Sequence, residues 1–168
     1  LDVPPDIYPA LHPASWRYAG DDLPTLLPRR PRSAHKGHFG HVLVIGGELG
    51  LAGAARMAGE AAARCGAGLI SVATRAAHAG LQAAVRPELM FHGIEQPDNL
   101  APLLDRATVI AIGPGLGRSD WGRVMLHAAL SSDKPLVVDA DGLNLLAIEP
   151  AFRENWILTP HPGEAARL

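Results

Sequence analysis

From Ser33 onward, short apolar runs alternate with alanine-rich or amphipathic stretches, and that alternation sets the predicted elements. Val42-Leu43-Val44-Ile45, ended by Gly46-Gly47, has the pattern of a strand buried on both faces. Residues 53–65 are rich in alanine, with Arg56, Glu60 and Arg64 on one face at i, i+4 spacing, which predicts a helix. Leu69 to Thr74 is the second predicted strand; no element is predicted between Thr74 and Leu100. Leu100 to Arg106 reads as a short helix capped by Asp98 or Asn99. Val109 to Ile112 predicts a strand, Asp120 to Leu130 a helix, Leu136 to Asp139 a strand, and Gly142 to Ile148 a helical turn or two. Trp156-Ile157-Leu158 reads as a strand end, and Gly163 to Leu168 as the first turn of a helix. Strands alternating with helices imply right-handed crossovers. The expected fold is α/β: a doubly wound, mainly parallel sheet with helices on both faces. No internal repeat is visible.

The first 31 residues differ. They hold seven of the fifteen prolines and no sustained periodicity, as in an extended linker or an irregular wrapping segment. The chain opens on Leu1 rather than Met and stops within a helical pattern. Both ends are therefore expected to be cuts in a longer polypeptide.

Composition removes several classes of function. With 168 residues, 48% hydrophobic and 19% charged, and a net charge of −2, the chain has neither a basic footprint for nucleic acid nor one for an anionic membrane. No apolar run approaches the roughly 20 residues of a membrane helix, and no signal-peptide pattern opens the chain. The single cysteine, Cys65, excludes an internal disulfide framework and fits a reducing cytoplasm. With no basic partner nearby, Cys65 is expected to be a small buried residue and not a nucleophile.

Candidate chemistry collects at strand ends, where ligands of open α/β sheets bind. Those ends carry Gly46-Gly47, Gly113-Pro114-Gly115-Leu116-Gly117, Asp139-Ala140-Asp141-Gly142 and Thr159-Pro160-His161-Pro162-Gly163-Glu164. Glycines there admit close backbone approach and are expected to turn N–H groups inward. Neither GxGxxG at a helix start nor GxxxxGK[ST] occurs. Two prolines bracket His161 and stiffen its loop, which suits a ligand contact better than packing. His35, His38 and His41 have a spacing compatible with metal ligation, but no further ligand completes a site, so a substrate-side loop with exposed histidines is the preferred reading. Asp139 and Asp141 alternate on an extended strand end and are expected to point to opposite sides, one of them capping the following helix. Trp16, Trp121 and Trp156 are expected to fill the core or an interface.

Several motifs occur in a familiar order: Lys36-Gly37-His38-Phe39-Gly40-His41 leading into Val42 to Gly47, then Gly53-Ala54-Ala55, Gly66-Ala67-Gly68-Leu69 and Arg86-Pro87-Glu88-Leu89-Met90. Ile112 to Gly117, Asp139-Ala140-Asp141-Gly142-Leu143-Asn144-Leu145-Leu146 and Leu158 to Leu168 follow. In these, residues 35–168 resemble the ADP/ATP-dependent NAD(P)H-hydrate dehydratases, which have a ribokinase-like fold. The resemblance implies repair of hydrated NADH or NADPH. ADP or ATP, with Mg²⁺, phosphorylates the ring hydroxyl; phosphate then leaves. It implies substrate-binding roles for Ala54, Gly115, Gly117 and His161. Asp139 and Asn144 would shape the cleft, and Glu164 would organise Mg²⁺ through its waters, with no direct protein ligand to the metal.

The family's lysine–glycine loop and GxGD motif, which supplies the catalytic aspartate, do not occur in this chain. The resemblance therefore expects an incomplete domain: residues 32–168 its N-terminal part, and residues 1–31 a linker or the tail of a preceding epimerase domain. Family members resemble homo-oligomers. Arg86-Pro87-Glu88, typical of the family, fits an interface or structural role as well as a ligand role. The alternatives are a ribokinase-like small-molecule kinase and a non-catalytic nucleotide-binding module.

Overall fold

A computed structural model describes residues 20–168. Trp16 and the four prolines before it lie outside the described residues. The chain divides into two units, Leu1–Ala34 and His35–Leu168. In the first, a 3-10 turn at Gly20–Asp22 runs into the four-residue helix α1, Leu23–Leu26, with Pro24 in its first turn. The Thr25 hydroxyl donates to the Asp22 carbonyl at 2.7 Å.

The second unit runs β1 (His41–Ile45), α2 (Ala52–Arg64), β2 (Leu69–Thr74), α3 (Ala76–Val85), β3 (Met90–Gly93), α4 (Ala101–Arg106), β4 (Val109–Ile112), α5 (Asp120–Leu130), β5 (Leu136–Val138), α6 (Asp141–Leu146), β6 (Trp156–Leu158) and α7 (Pro162–Ala165). Six strands form one sheet in the order β3-β2-β1-β4-β5-β6. Every neighbouring pair is parallel. Val42 of β1 lies level with Ile70 of β2 on one side and Val109 of β4 on the other.

The period-2 alternation of a strand divides β1 between two cores. Leu43 and Ile45 face a cluster with Ile110, Ile112, Leu103, Met125 and Leu143, drawn from α4, α5 and α6 as well as the sheet. Val44 faces the other way, with Ala55 of α2, Ile70, Val72 and Leu89. Gly59 lets α2 sit close to that second face: an added Cβ would stand 3.1 Å from Val72 and 3.3 Å from Leu89. Helices thus cover both faces, as the doubly wound pattern predicted.

Several local expectations need correction. Two elements are not predicted by the pattern, α3 and β3: half of the ten residues of α3 are alanine, and β3 is a four-residue strand containing His92 and Gly93. Neither Asp98 nor Asn99 caps α4. Both sit in a 3-10 turn, and Leu100 takes the cap position without a side-chain bond. Neither Asp139 nor Asp141 caps α6; Ala140 occupies that position at φ 47°, ψ −118°. Cys65 is exposed at the C-terminal end of α2 instead of buried, because the helix ends there and the chain turns at Gly66 toward β2. Trp121 is buried as expected, and its indole N–H donates to the Ile94 carbonyl at 2.7 Å.

Candidate functional site

The strand order reverses at β1 and β4. From β1 the chain departs through α2 toward β2, and from β4 it departs through α5 toward β5 in the other direction. A parallel sheet opens a crevice at the carboxyl ends of two such strands. Two glycine loops meet there, and they are bonded to each other. Gly47 N–H donates to the Pro114 carbonyl at 3.2 Å and Glu48 N–H to that of Gly115 at 2.7 Å. Gly46 N–H goes to Ala73, and Gly113 N–H to Ile45 at 3.2 Å. The expectation of inward, ligand-facing N–H groups therefore fails for these positions: their amides are spent in joining loop to loop and strand to strand. Gly113 at φ 124° is the clearest case, since an added side chain would overlap the Asp139 carbonyl oxygen.

Glycine instead brings the proposed substrate residues together. A Cβ on Gly115 would lie 2.7 Å from the Leu51 carbonyl oxygen and 3.1 Å from the Ala54 methyl, so this loop lies directly on the first turn of α2. Gly117 N–H donates to the Asp141 carboxylate at 3.0 Å, and its Cα faces the Glu48 side chain. Gly115 is thus packed on Ala54, and Gly117, two residues on, is fixed between Glu48 and Asp141.

Glu48 joins that loop to its neighbours. Its carboxylate accepts from the Ser119 hydroxyl, from Leu49 N–H at 2.8 Å and from the Arg75 guanidinium at 2.7 Å. Arg75 also pairs with Glu95 at 2.9 Å and lies 5.5 Å from the centre of the Trp121 ring. Burial favours the neutral acid of Glu48. The hydrogen bonds from Ser119 and Leu49 and the charge of Arg75 outweigh it and hold the carboxyl below its ordinary pKa. Glu95 is lowered by the Ala76 N–H and then by Arg75. Pattern reasoning misses Glu48 and Arg75. Ser119 alone has a local signal, since it precedes Asp120 as a helix N-cap and accepts from Gly122 N–H at 3.4 Å.

At the β5 and β6 ends, Asp139 and Asp141 turn to different partners. Asp139 accepts from the Thr159 hydroxyl at 2.8 Å, binding β5 to β6, while Asp141 holds Gly117. Asn144 donates to the Ala140 carbonyl at 3.2 Å and accepts from Arg167 at 2.9 Å. His161 opens α7 at this same carboxyl edge. Its Nδ1 accepts from Gly163 N–H at 3.0 Å and Glu164 N–H at 3.3 Å, while buried Glu164 accepts the His161 N–H at 3.0 Å. This reciprocal pair is a capping box with histidine in the place usually taken by serine or threonine.

The three N-terminal histidines do not converge. His35 and His38 stack with centroids 3.7 Å apart, beside a 3-10 turn at Lys36–Phe39. His41 starts β1, where its Nε2 lies 2.9 Å from the Ser71 hydroxyl. They stand at the amino end of β1, the end away from Gly46-Gly47; His35 and His38 are exposed as expected, and His41 is part-buried. Arg86, for its part, forms a two-pronged bond to Glu60 at 2.8 and 2.9 Å. That joins α2 to the segment before β3 and accounts for it structurally.

A parallel sheet whose order reverses between β1 and β4, with a glycine loop laid on the start of α2, defines a doubly wound α/β protein. Residues 42–168 match the family model described as NAD(P)H-hydrate dehydratase, and the chain belongs to that family. A bifunctional NAD(P)H-hydrate repair enzyme of Coxiella burnetii is 62% identical over 143 residues, covering 85% of this chain and 29% of that protein. An ADP-dependent (S)-NAD(P)H-hydrate dehydratase of Lactiplantibacillus plantarum is 39% identical over 83% of this chain and 52% of its own length. The solved ADP/ATP-dependent NAD(P)H-hydrate dehydratase of Bacillus subtilis, co-crystallised with ATP and Mg²⁺, superimposes with a TM-score of 0.68 at 32% identity. That match covers 84% of this chain and 51% of that one. The chain therefore spans about half the length of the single-activity relatives and 29% of the bifunctional one.

Proposed function

We propose that the full-length protein dehydrates the S form of hydrated NADH or NADPH, using ADP or ATP as phosphoryl donor, and so returns damaged cofactor to use. In this reading residues 32–168 are the N-terminal part of the dehydratase domain and residues 1–31 the linker or tail of a preceding epimerase domain. The ring hydroxyl takes the phosphoryl group; its C–O bond then breaks with loss of phosphate and of a ring proton, and the double bond returns.

Gly115 lying on Ala54, with Gly117 fixed beside them by Asp141, carries the assignment. This is a narrow, preformed wall of small residues, suited to the flat ring and ribose of a dinucleotide. His161, on its stiff capped loop, is assigned a substrate contact from the same edge. Asp139 and Asn144 act on the cleft through Thr159 and Arg167.

No three His, Cys, Asp or Glu gather as a metal site among the described residues. The Glu164 carboxylate is held by His161, so a bond to Mg²⁺-bound water would have to be shared with the cap. We assign Mg²⁺ to the nucleotide phosphates, with Glu164 reaching it through bound water and no side chain of this chain as a direct ligand. The catalytic base is assigned to a GxGD aspartate outside these residues. The setting proposed is the cytoplasm, with the protein a homo-oligomer; among the described residues no helix is long and apolar enough to cross a membrane.

The test is recovery of NADH absorbance from its hydrate by the full-length protein with ADP or ATP and Mg²⁺, with released phosphate measured alongside. One phosphate per NADH is expected. Accumulation of a phosphorylated alcohol would make the protein a small-molecule kinase, and nucleotide binding without either product a binding module. Residues 1–168 alone are expected to give no turnover.

A further inference from the structure

Among the side chains around the crevice, Glu48 has a place that the reaction itself does not require. It lies three residues beyond the end of β1, yet touches three other segments. Arg75 reaches it from the end of β2, Ser119 from the start of α5, and Gly117 packs on its methylenes, with 3.0 Å between Glu48 Cγ and the position of a Gly117 Cβ. Its own backbone N–H completes the loop-to-loop pairing through Gly115. Arg75 is in turn fixed by Glu95, which also accepts from Ala76 N–H at 2.8 Å.

A surface ion pair contributes little to stability, but this carboxylate is mostly shielded and has a charged or hydroxyl partner on each oxygen. Losing its charge would leave Glu95 as the only anion paired with Arg75 and weaken the bonds that Glu48 accepts from Arg75 and Ser119. The Gly115–Gly117 loop would then lose a side-chain strut that acts beside the backbone bonds from Gly47 and Glu48. A displacement of a fraction of an ångström at such a loop alters how a rigid ring is held without unfolding anything.

We infer that Glu48 is a positioning residue for the dinucleotide pocket: through Ser119, Arg75 and Gly117 it clamps the loops after β1 and β4 in the spacing that the hydrated nicotinamide ring requires. The inference rests on the dehydratase reading. It adds a residue that touches no reacting atom, whose effect falls on substrate affinity rather than on the chemical step.

The experiment compares Glu48→Gln and Arg75→Gln with wild type in the full-length protein. As a control, Glu60→Gln breaks an ion pair of similar kind to Arg86, away from the crevice. Both clamp variants are expected to raise KM for hydrated NADH about tenfold with kcat within about threefold, since a ground-state positioning contact is lost. The control is expected to lower thermal stability comparably and leave KM unchanged. Amide exchange at Gly47, Glu48 and Gly117 gives a second, activity-free readout, and should quicken in the clamp variants alone. Unchanged KM and unchanged exchange in folded Glu48→Gln would overturn the inference. If that variant does not fold, Arg75→Gln carries the same two readouts, and their absence there overturns it equally. Wild type without turnover would remove the dehydratase reading, and the exchange result would still decide the clamp.

Discussion

His161 and Glu164 hold one another: the Nδ1 of His161 accepts the Glu164 N–H at 3.3 Å, and the Glu164 carboxylate accepts the His161 N–H at 3.0 Å. The imidazole must present an unprotonated Nδ1 to do so, which leaves the proton on Nε2, 3.3 Å from the other Glu164 oxygen.

The cap made by His161 and the substrate contact proposed for it can be separated by substitution. His161→Ala is expected to lower stability by about 1 kcal/mol through the lost cap. It should also cut turnover of hydrated NADH by about 10- to 1000-fold through the lost contact. His161→Asn restores a capping oxygen and should recover the stability but not the turnover. Thermal melts and turnover of both variants in the full-length protein check this; full turnover in either would reduce His161 to a cap.

Glycines around the crevice should respond in opposite directions. Gly113→Ala places a methyl against the Asp139 carbonyl at a backbone angle that L residues avoid, and should cost more than about 3 kcal/mol. Gly53, in the first turn of α2, has nothing within 4 Å of an added Cβ. Gly53→Ala should stabilise by about 0.5–1 kcal/mol, the difference in helix propensity. Chemical denaturation of the two variants decides, and a neutral Gly113→Ala would mean that the β4 and β5 ends are further apart than described.

Much of the fold is legible because β-branched runs such as Val42 to Ile45 end in glycine, where strand and turn physics agree. The helix α3 lacks that agreement: its one buried residue is Gln82, while Leu81 and Val85 remain exposed, so no periodic apolar face exists to be read. The proposed substrate residues Ala54, Gly115 and Gly117 are legible only through motif resemblance, and the packing of Gly115 on Ala54 is a tertiary fact. Glu48 is 27 residues from Arg75 and 71 from Ser119, separations at which no local spacing rule operates. The capping box at His161 spans only three residues, and is hidden because an imidazole rarely serves as an N-cap acceptor.

Exposure of Cys65 has a direct chemical consequence. It is the single thiol within these residues and ends α2 at the surface. A thiol-reactive probe should modify it in the native state, without denaturant, and the α2–β2 connection should tolerate the adduct because no buried contact is displaced. Mass spectrometry of the native and denatured protein checks this. Reaction only after denaturation would show that Cys65 is covered in the full-length protein.

His41, Ser71 and His92 form a polar row inside the sheet, from β1, β2 and β3. The Ser71 hydroxyl lies 2.9 Å from one Nε2 and 3.1 Å from the other, and Ser71 itself is buried. Burial lowers the pKa of His41, with His92 and Arg106 adding to the effect; burial and then Arg106 lower that of His92. Both rings are thus held neutral while an unfolded histidine titrates near its ordinary value of 6.5. When acid protonates the unfolded chain and not the folded one, the unfolded chain gains. Stability from this row is therefore present in full above pH 6.5 and is lost as pH falls from there toward the depressed folded values. Urea midpoints measured from about pH 8 down to about pH 5.5 should decline across that window. The decline should be shallower in a His41→Gln, His92→Gln double variant, whose amides can bond Ser71 without titrating. Equal slopes in the two proteins would assign the acid sensitivity to other groups.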